Sequence, residues 1–152
     1  MSTYTQIYYH IVFSTKERAP VLVKKDREGL FRYVWGIVQR RNSRLYRING
    51  TLDHMHMLTG LHPSVCLADF VKEIKGGSSY WIKKNKLFKG FSNWQAGYGA
   101  FTHSIEDRDR LIEYIKHQED HHKKVSFADE LRALLIEAGV EFDEERLIKA
   151  GS

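Results

Sequence analysis

The sequence is poor in cysteine and contains no long apolar run, and each shortage excludes a class of protein. Cys66 is the only cysteine among the 152 residues, so one chain can form neither a disulfide framework nor a thiolate zinc cluster. No stretch approaches the roughly 18 to 20 apolar residues that a membrane-spanning helix needs. Because residues 1–5 are polar, we expect no signal peptide and a location in the reducing cytoplasm.

Acidic residues are outnumbered by basic ones. The chain has 24 Lys and Arg against 19 Asp and Glu, which gives a formal net charge of +5. A positive excess favours a polyanionic partner. The excess is uneven, because the part before Glu106 is strongly basic whereas residues 126–148 are rich in Asp and Glu. We therefore take the basic part as the candidate for binding nucleic acid.

The chain contains enough apolar material for one folded domain. Apolar residues make up 42% of it, and eight Phe, eight Tyr and three Trp supply large packing groups. The length lies near the common size of a single compact domain. We find no internal repeat and no linker, so we expect one globular domain over residues 1–152.

Apolar periodicity predicts alternating strands and helices. The expected strands are 4–14, 43–52, 54–61 and 94–103, and the expected helices are about 26–41, 64–82, 107–122 and 127–138. This order matches a ferredoxin-like α+β fold, in which one antiparallel sheet has helices packed on a face. A C-terminal helix and an acidic tail follow that core.

Short polar residues and glycines mark the expected ends of these elements. Ser64 can cap the helix that follows it, and Ser126, with Asp129 three residues later, can cap the last helix. Gly139 can close the last helix. The pair at 49–50, Asn followed by Gly, predicts a turn or a bulge between two strands.

The segment from 72 to 89 combines glycines with lysines and aromatic residues. Gly76 and Gly77 should interrupt the helix and cost about 1 kcal/mol each relative to alanine. They could serve close backbone approach, and packing against the sheet explains them equally well. Lysines interleaved with Tyr80, Trp81 and Phe88 are typical of surfaces that contact phosphates and stack on bases, although a solvated lysine face is the alternative. The candidate DNA-binding residues are Lys72, Lys75, Ser79, Lys83, Lys84, Lys86 and Lys89.

Two histidines flank one apolar residue inside an apolar run. Alternate side chains of a strand share a face, so His54 and His56 should project together. Hydrogen-bonded histidines on a half-buried sheet are common, so this pair alone does not establish a metal site.

The helix expected at 107–122 carries a second set of polar residues. Tyr114, Gln118 and His121 fall within one arc beside its apolar stripe. Taken alone, Tyr114 could cover the edge of the core and Gln118 could be solvated. A tyrosine can nevertheless attack a phosphodiester whose phosphate is polarised by a metal ion. The histidine pair and this arc together therefore point to phosphodiester chemistry.

Several segments together resemble the single-tyrosine HUH transposases of small bacterial insertion sequences, which include the REP-associated tyrosine transposases. The segments are His54-Met55-His56, residues 94–101 (Trp-Gln-Ala-Gly-Tyr-Gly-Ala-Phe) and Tyr114-Ile115-Lys116-His117-Gln118. Residues 13–22 are similar to the first strand and following loop of that family. The resemblance implies a single transposase domain, with a core at about 4–125 and a C-terminal extension at about 126–152.

The resemblance also assigns roles to site residues. It implies that Tyr114 is the nucleophile and that His54, His56 and Gln118 bind a divalent metal ion, usually Mg²⁺ or Mn²⁺. Two imidazoles and an amide are softer than the all-oxygen shell that magnesium prefers, so manganese should also bind well.

Two further residues are candidates for a supporting role around that site. Asp53 could orient an imidazole, and a turn or capping role explains it equally well. His121 could support the site or replace Gln118 as a ligand.

The reaction that the resemblance implies is a transesterification of single-stranded DNA with hairpin ends. Tyr114 displaces a 3′ oxygen, which leaves a 5′ phosphotyrosine and a free 3′ hydroxyl for rejoining. Relatives work as homodimers with composite sites, in which the histidines of one subunit meet the tyrosine helix of the other. The alternatives are an inactive or domesticated binder of hairpin-forming single-stranded DNA and a metal-dependent phosphoesterase.

The C-terminal extension should pack through its apolar residues onto the body or onto a partner subunit. Its acidic residues at 141–145 should stay away from DNA. We consider that it adjusts target access or inhibits the site.

Overall fold

The computed structural model describes residues 1–149, so the last three residues of the expected extension lie outside the described residues. Four strands form one antiparallel sheet in the order β2-β3-β1-β4. The strands are β1 Tyr8–Ser14, β2 Arg44–Gly50, β3 His54–Gly60 and β4 Gly99–His103. The helices are α1 Lys24–Arg40, α2 Leu67–Lys84, α3 Arg108–Lys116, α4 Gln118–His122, α5 Phe127–Glu137 and α6 Glu144–Lys149. The predicted ferredoxin-like α+β fold is confirmed.

The central strands β1 and β3 divide their side chains between two faces of the sheet. Their odd-numbered residues, such as Phe13 and Met55, pack with α1 and α2 into the main core. On the other face, Leu58 packs with Ile115 of α3, and Phe127 of α5 packs against β1 and β4. Helices therefore cover both faces of the sheet, whereas the sequence pattern had predicted helices on a face.

The strand predicted at 94–103 is shorter in the structure. β4 begins only at Gly99, because Gly97 adopts a φ of +86° that breaks the extended conformation. Trp94 makes an isolated bridge with Thr15, and its indole nitrogen donates a hydrogen bond to Ser78 over 2.9 Å. This segment therefore crosses toward α2 before it joins the sheet.

The predicted interruption of α2 is wrong, because the helix continues through both glycines. A Cβ atom at Gly77 would lie 3.1 Å from Cδ1 of Ile37 in α1, whereas one at Gly76 would meet nothing within 4 Å. Gly77 thus permits close packing of two helices. The predicted cap is wrong as well, since α2 starts after Cys66 and the Ser64 hydroxyl pairs with His62 over 2.7 Å.

The helix predicted at 107–122 is divided into α3 and α4 at His117. The side-chain amide of Asn49 in β2 donates hydrogen bonds to the carbonyls of Ile115 and Lys116, over 2.9 and 3.1 Å. These carbonyls would otherwise accept bonds from the next helical turn. Their capture by a strand residue accounts for the break just before Gln118.

The C-terminal extension folds as two helices, of which only the first was predicted. The Ser126 hydroxyl accepts a hydrogen bond from the Asp129 amide, which confirms the predicted cap of α5. Gly139 follows α5 with a φ of +69°. Helix α6 is tied to α5 by an ion pair of 2.9 Å between Arg132 and Glu144. Within residues 1–149, no helix is long and apolar enough to cross a membrane.

Candidate active site

The two histidines of β3 lie side by side on the sheet face that carries α3 and α5. His54 and His56 are both fully buried, because β3 is a central strand and helices cover this face. Their rings meet edge to face with centroids 5.1 Å apart. Both side chains therefore project from the same face of the sheet, as predicted.

Each imidazole is held from behind through its Nδ1 atom. Nδ1 of His54 lies 2.6 Å from a carboxylate oxygen of Asp53 and 2.9 Å from the hydroxyl of Thr51. Nδ1 of His56 lies 2.8 Å from Nε2 of the buried His10. Fixing one ring nitrogen orients the other, so both Nε2 atoms face the same space between the sheet and α5.

Tyr114 and Gln118 approach that space from α3 and α4. The ring of Tyr114 lies 6.0 Å, centroid to centroid, from the ring of His56. Gln118 is fully buried, and its Oε1 atom has no hydrogen-bond partner among the described residues. The structure thus brings the four residues His54, His56, Tyr114 and Gln118 together within one chain.

A fifth residue, Glu130 of α5, lies at the centre of this group. Its Oε1 atom is 2.9 Å from Nε2 of His56 and 3.5 Å from Nε2 of His54. Its Oε2 atom accepts hydrogen bonds from the Tyr114 hydroxyl and, over 3.1 Å, from the Gln118 amide. The carboxylate is therefore shared between the histidine pair and the tyrosine.

Sequence reasoning missed Glu130 because it counted this residue only as one of the acidic charges of residues 126–148. A usable signal did exist: Glu130 follows Phe127 by three residues and so lies on the face of α5 that packs on the sheet. A carboxylate on the buried face of an amphipathic helix is unusual and indicates a specific partner.

The donor atoms of this cluster fit a divalent cation. One ligand atom each from His54, His56 and Glu130 lie within 4.8 Å of one another. The buried Oε1 atom of Gln118 adds an amide oxygen without a partner among the described residues. A set of nitrogen and oxygen donors suits Mn²⁺ or another transition ion better than Mg²⁺, which prefers oxygen ligands.

Electrostatics in the site follow from burial and from two carboxylates. Burial lowers the pKa of His54, but hydrogen bonds and charge from Asp53 and Glu130 outweigh it and raise that pKa above 6.5. Burial lowers the pKa of His10 well below 6.5, and the neighbouring His56 lowers it further, so His10 is neutral at pH 7. Burial and the Glu130 carboxylate raise the pKa of Tyr114, which therefore keeps its proton.

The two supporting candidates lie on opposite sides of the cluster. Asp53 contacts His54 from behind, as described above. The His121 ring is partly exposed and places Nε2 3.3 Å from Oε2 of Glu130. His121 thus forms an ion pair with Glu130 through the same oxygen that accepts the hydrogen bond from Tyr114.

A cavity of about 370 Å³, lined by three basic and two acidic residues, adjoins the cluster at Asp53 and Phe127. Arg18, Arg27 and Lys123 are among its lining residues. The guanidinium carbon of Arg18 lies 5.9 Å from the ring centroid of Phe127, and its Nε and one terminal nitrogen have no hydrogen-bond partner among the described residues. Such a cavity can accept a phosphate or a stacked base.

The candidate DNA-binding residues of the α2 region lie apart from the histidines, because α2 packs on the opposite face of the sheet. Ser79 is only 7% exposed, and Lys75 donates hydrogen bonds to the carbonyls of Gln95 and Gly97 over 2.6 and 2.8 Å. The exposed members of the set are Lys72, Lys83, Lys84, Lys86 and Lys89.

Comparison with known sequences identifies similar proteins. Residues 3–118 match the family model described as "Transposase IS200 like". The ISDra2 transposase TnpA of Deinococcus radiodurans is 31% identical over 121 residues, which cover 76% of this chain and 86% of that protein. The transposase for insertion sequence element IS200 of Salmonella typhimurium is 26% identical over 115 residues, which cover 72% and 75%.

Comparison with solved structures gives matches over most of the chain. A crystal structure of a protein assigned as a transposase from Deinococcus radiodurans R1 is 28% identical, covers 78% of this chain and 95% of that one, and has a TM-score of 0.61. A REP-associated tyrosine transposase bound to a REP hairpin also has a TM-score of 0.61, covering 82% and 76%. At 17% identity, the second match supports the fold alone.

Proposed function

Because this chain belongs to the family of IS200-like transposases, we propose that it cuts and rejoins single-stranded DNA through a covalent bond to Tyr114. The observation that carries this proposal is the convergence of Tyr114, His54, His56 and Gln118 on one buried space within a single chain. A tyrosine hydroxyl beside a cluster fitted for a divalent cation is the equipment that phosphodiester transesterification needs.

The proposed ligands of the cation are His54, His56 and Gln118. A bound divalent ion would supply positive charge that polarises the scissile phosphate. Asp53 and His10 hold the two imidazoles in the orientation that this role requires.

Tyr114 performs the covalent step. Its hydroxyl oxygen forms a bond to phosphorus while the bond from phosphorus to the 3′ oxygen breaks, and the leaving oxygen takes a proton from water. The phenolic proton passes to Oε2 of Glu130, which already accepts a hydrogen bond from it, and Glu130 then returns a proton to the hydroxide left by that water. The products are a 5′ phosphotyrosine and a free 3′ hydroxyl. Rejoining reverses the step on another DNA end, without a nucleotide cofactor.

The proposed substrate is single-stranded DNA with a hairpin near the cut. Support comes from the basic surface of the α2 region and from the similarity of fold to a transposase bound to a REP hairpin. The α2 lysines and the histidines lie on opposite faces of the sheet. The hairpin would therefore contact the face with the lysines, while the strand to be cut reaches the face with the histidines. The cut strand would enter through the cavity lined by Arg18.

The family resemblance also leads us to propose a homodimer. A composite site, with the tyrosine helix supplied by a second copy, stays a prediction of that resemblance. Within this single chain, Tyr114 of α3 already lies beside the histidine pair.

The test is the formation of a denaturation-resistant adduct between the protein and labelled single-stranded DNA that carries a hairpin, in the presence of Mn²⁺. We expect the adduct with the parent, none with Tyr114→Phe, and none with His56→Ala. Tyr4→Phe is the matched control, because it removes a phenolic hydroxyl from an exposed residue.

The rival functions give different results in the same assay. A hairpin-DNA binder would shift the DNA on a native gel without forming an adduct. A phosphoesterase would release cleaved product without forming an adduct. An adduct that survives Tyr114→Phe would contradict the assignment of the nucleophile.

A further inference from the structure

We propose that Glu130 is a further ligand of the cation site, so that helix α5 of the C-terminal extension forms part of the active centre. This inference rests on the metal site of the proposed function and adds a donor to it. Glu130 lies beyond residues 3–118, so it is outside the segment that matches the family model.

Both imidazoles are directed toward Glu130. An ionised carboxylate accepts hydrogen bonds and cannot donate them, so the contact of Asp53 with His54 places a hydrogen on Nδ1 of His54. Nε2 is therefore the ring nitrogen of His54 that is left to bind a metal ion, and it lies 3.5 Å from Oε1 of Glu130. A nitrogen and an oxygen this close together can bind the same ion.

His56 converges on the same oxygen. His10 holds Nδ1 of His56 from behind, and Nε2 of His56 lies 2.9 Å from Oε1 of Glu130. Two imidazole nitrogens and one carboxylate oxygen within 4.8 Å of one another form a group that can hold one divalent ion.

The burial of Glu130 also points to a cation, because only 3% of this residue is exposed. Burying an ionised carboxylate is costly unless it is paired or binds a metal. Its described contacts are imidazoles, the Gln118 amide and the Tyr114 hydroxyl. A divalent cation beside Oε1 would compensate for this burial.

The two oxygens of Glu130 then have separate tasks. Oε1 faces the histidine pair and binds the cation, while Oε2 holds Tyr114 and the amide nitrogen of Gln118. Gln118 directs its amide nitrogen toward Oε2 of Glu130, which leaves its buried Oε1 without a hydrogen-bond partner among the described residues.

The test is a calorimetric titration with Mn²⁺ alone, without DNA, on the full chain. We expect Glu130→Gln to weaken Mn²⁺ binding at least tenfold, because even residues that only support a metal ligand typically contribute about 10 to 100-fold in affinity. Glu137→Gln is the matched control, since it makes the same change at an exposed position of the same helix and should leave the affinity unchanged.

A second variant and a second signal separate ligation from a structural role. Glu130→Asp keeps the charge on a shorter side chain and should bind Mn²⁺ with an affinity between those of the parent and Glu130→Gln. With Co²⁺ as probe, the visible absorption bands should change shape in Glu130→Gln and keep the parental shape in Glu137→Gln. Thermal unfolding of the metal-free variants shows which of them are folded. If Glu130→Gln is unfolded, the Mn²⁺ affinity of Glu130→Asp is compared with that of the parent instead.

Equal affinities in the parent and Glu130→Gln would overturn the proposal. Tighter binding by Glu130→Gln would also overturn it and would mean that the carboxylate only fills the site. Because no DNA is present, the outcome is independent of adduct formation. If the parent forms the adduct but Glu130→Gln binds Mn²⁺ as tightly as the parent, this inference is contradicted and the proposed function is not.

Discussion

Asp53 determines which nitrogen of His54 is available to the site. Its carboxylate lies 2.6 Å from Nδ1, which leaves Nε2 directed toward the cluster. The same contact helps to raise the pKa of His54 above 6.5 against the opposing effect of burial. A more basic imidazole is a stronger metal ligand, but it also holds a proton at higher pH.

We predict that Asp53→Asn shifts the pH dependence of metal binding. Removing the carboxylate charge should lower the pKa of His54, because Asp53 raises it. In the parent, protons should begin to displace Mn²⁺ as the pH falls through the raised pKa of His54. In Asp53→Asn this loss should occur at lower pH, with weaker affinity on the alkaline plateau. Mn²⁺ titrations from about pH 5.5 to 8.5 measure both effects, since metal and protons compete for the imidazole.

Thr51→Val is a useful companion to that variant. It removes the other contact of Nδ1, a hydroxyl 2.9 Å away, without changing any charge. It should therefore move the pH midpoint less than Asp53→Asn does. Identical midpoints in the parent and Asp53→Asn would contradict the role given to the carboxylate.

Sequence reasoning could place the histidines, the tyrosine and the glutamine because each follows from the geometry of one element or from a local motif. Two residues apart on a strand, His54 and His56 had to share a face. The partners of His10 and Glu130 could not be predicted, because they are set by strand pairing and by the docking of α5; the spacing from Phe127 indicates only that Glu130 lies on a buried face. Such contacts join residues far apart in the chain, and no local pattern encodes them.

At the scale of elements, α2 contains a matched pair of glycines in different surroundings. Gly76 faces open space, whereas Gly77 faces Ile37 of α1. Gly76→Ala should raise the free energy of unfolding by about 0.5 to 1 kcal/mol, because alanine restricts the unfolded chain and favours the helix.

Gly77→Ala should be less stable than Gly76→Ala. It gains the same helix propensity, but the new methyl group would lie 3.1 Å from Ile37, which must shift. Urea unfolding of both variants provides the comparison. A Gly77→Ala protein as stable as Gly76→Ala would show that close contact between α1 and α2 is not the reason for the glycine.

The division of α3 from α4 shows why an element boundary escaped prediction. No proline or glycine stands between Arg108 and His122, so the sequence gives no local signal that ends the helix at His117. The break depends on Asn49 of another element, whose amide captures carbonyls at the end of α3. In the same way, the apolar residues of α5 predicted a buried side, and the structure shows that it packs against Val12 and Phe101 of the sheet.

At the scale of the whole molecule, the two faces of the sheet carry different properties. The lysine-rich surface of the α2 region and the main core occupy one face, while the buried cluster and the C-terminal extension occupy the other. The acidic extension supplies Glu130 to the site and pairs Glu144 with Arg132. The expectation that the extension packs on the body is therefore met within one chain.

The proposed homodimer predicts a mass of about two chains in light scattering. β4 stands at the end of the sheet order, so one of its edges is open to a strand from a second copy. Chain mass is 17.8 kDa, and we expect twice that value with or without hairpin DNA. A uniform monomer under both conditions would contradict the dimer while leaving the chemistry of the site untouched.

The central claim is that Tyr114 becomes covalently joined to DNA. Its most direct test is mass spectrometry of the digested protein after reaction with Mn²⁺ and single-stranded hairpin DNA. We predict a 5′-linked nucleotide on the peptide that contains Tyr114 and an unmodified peptide in the Tyr114→Phe protein. Attachment to a different residue, or cleavage of DNA with no nucleotide attached to the protein, would contradict it.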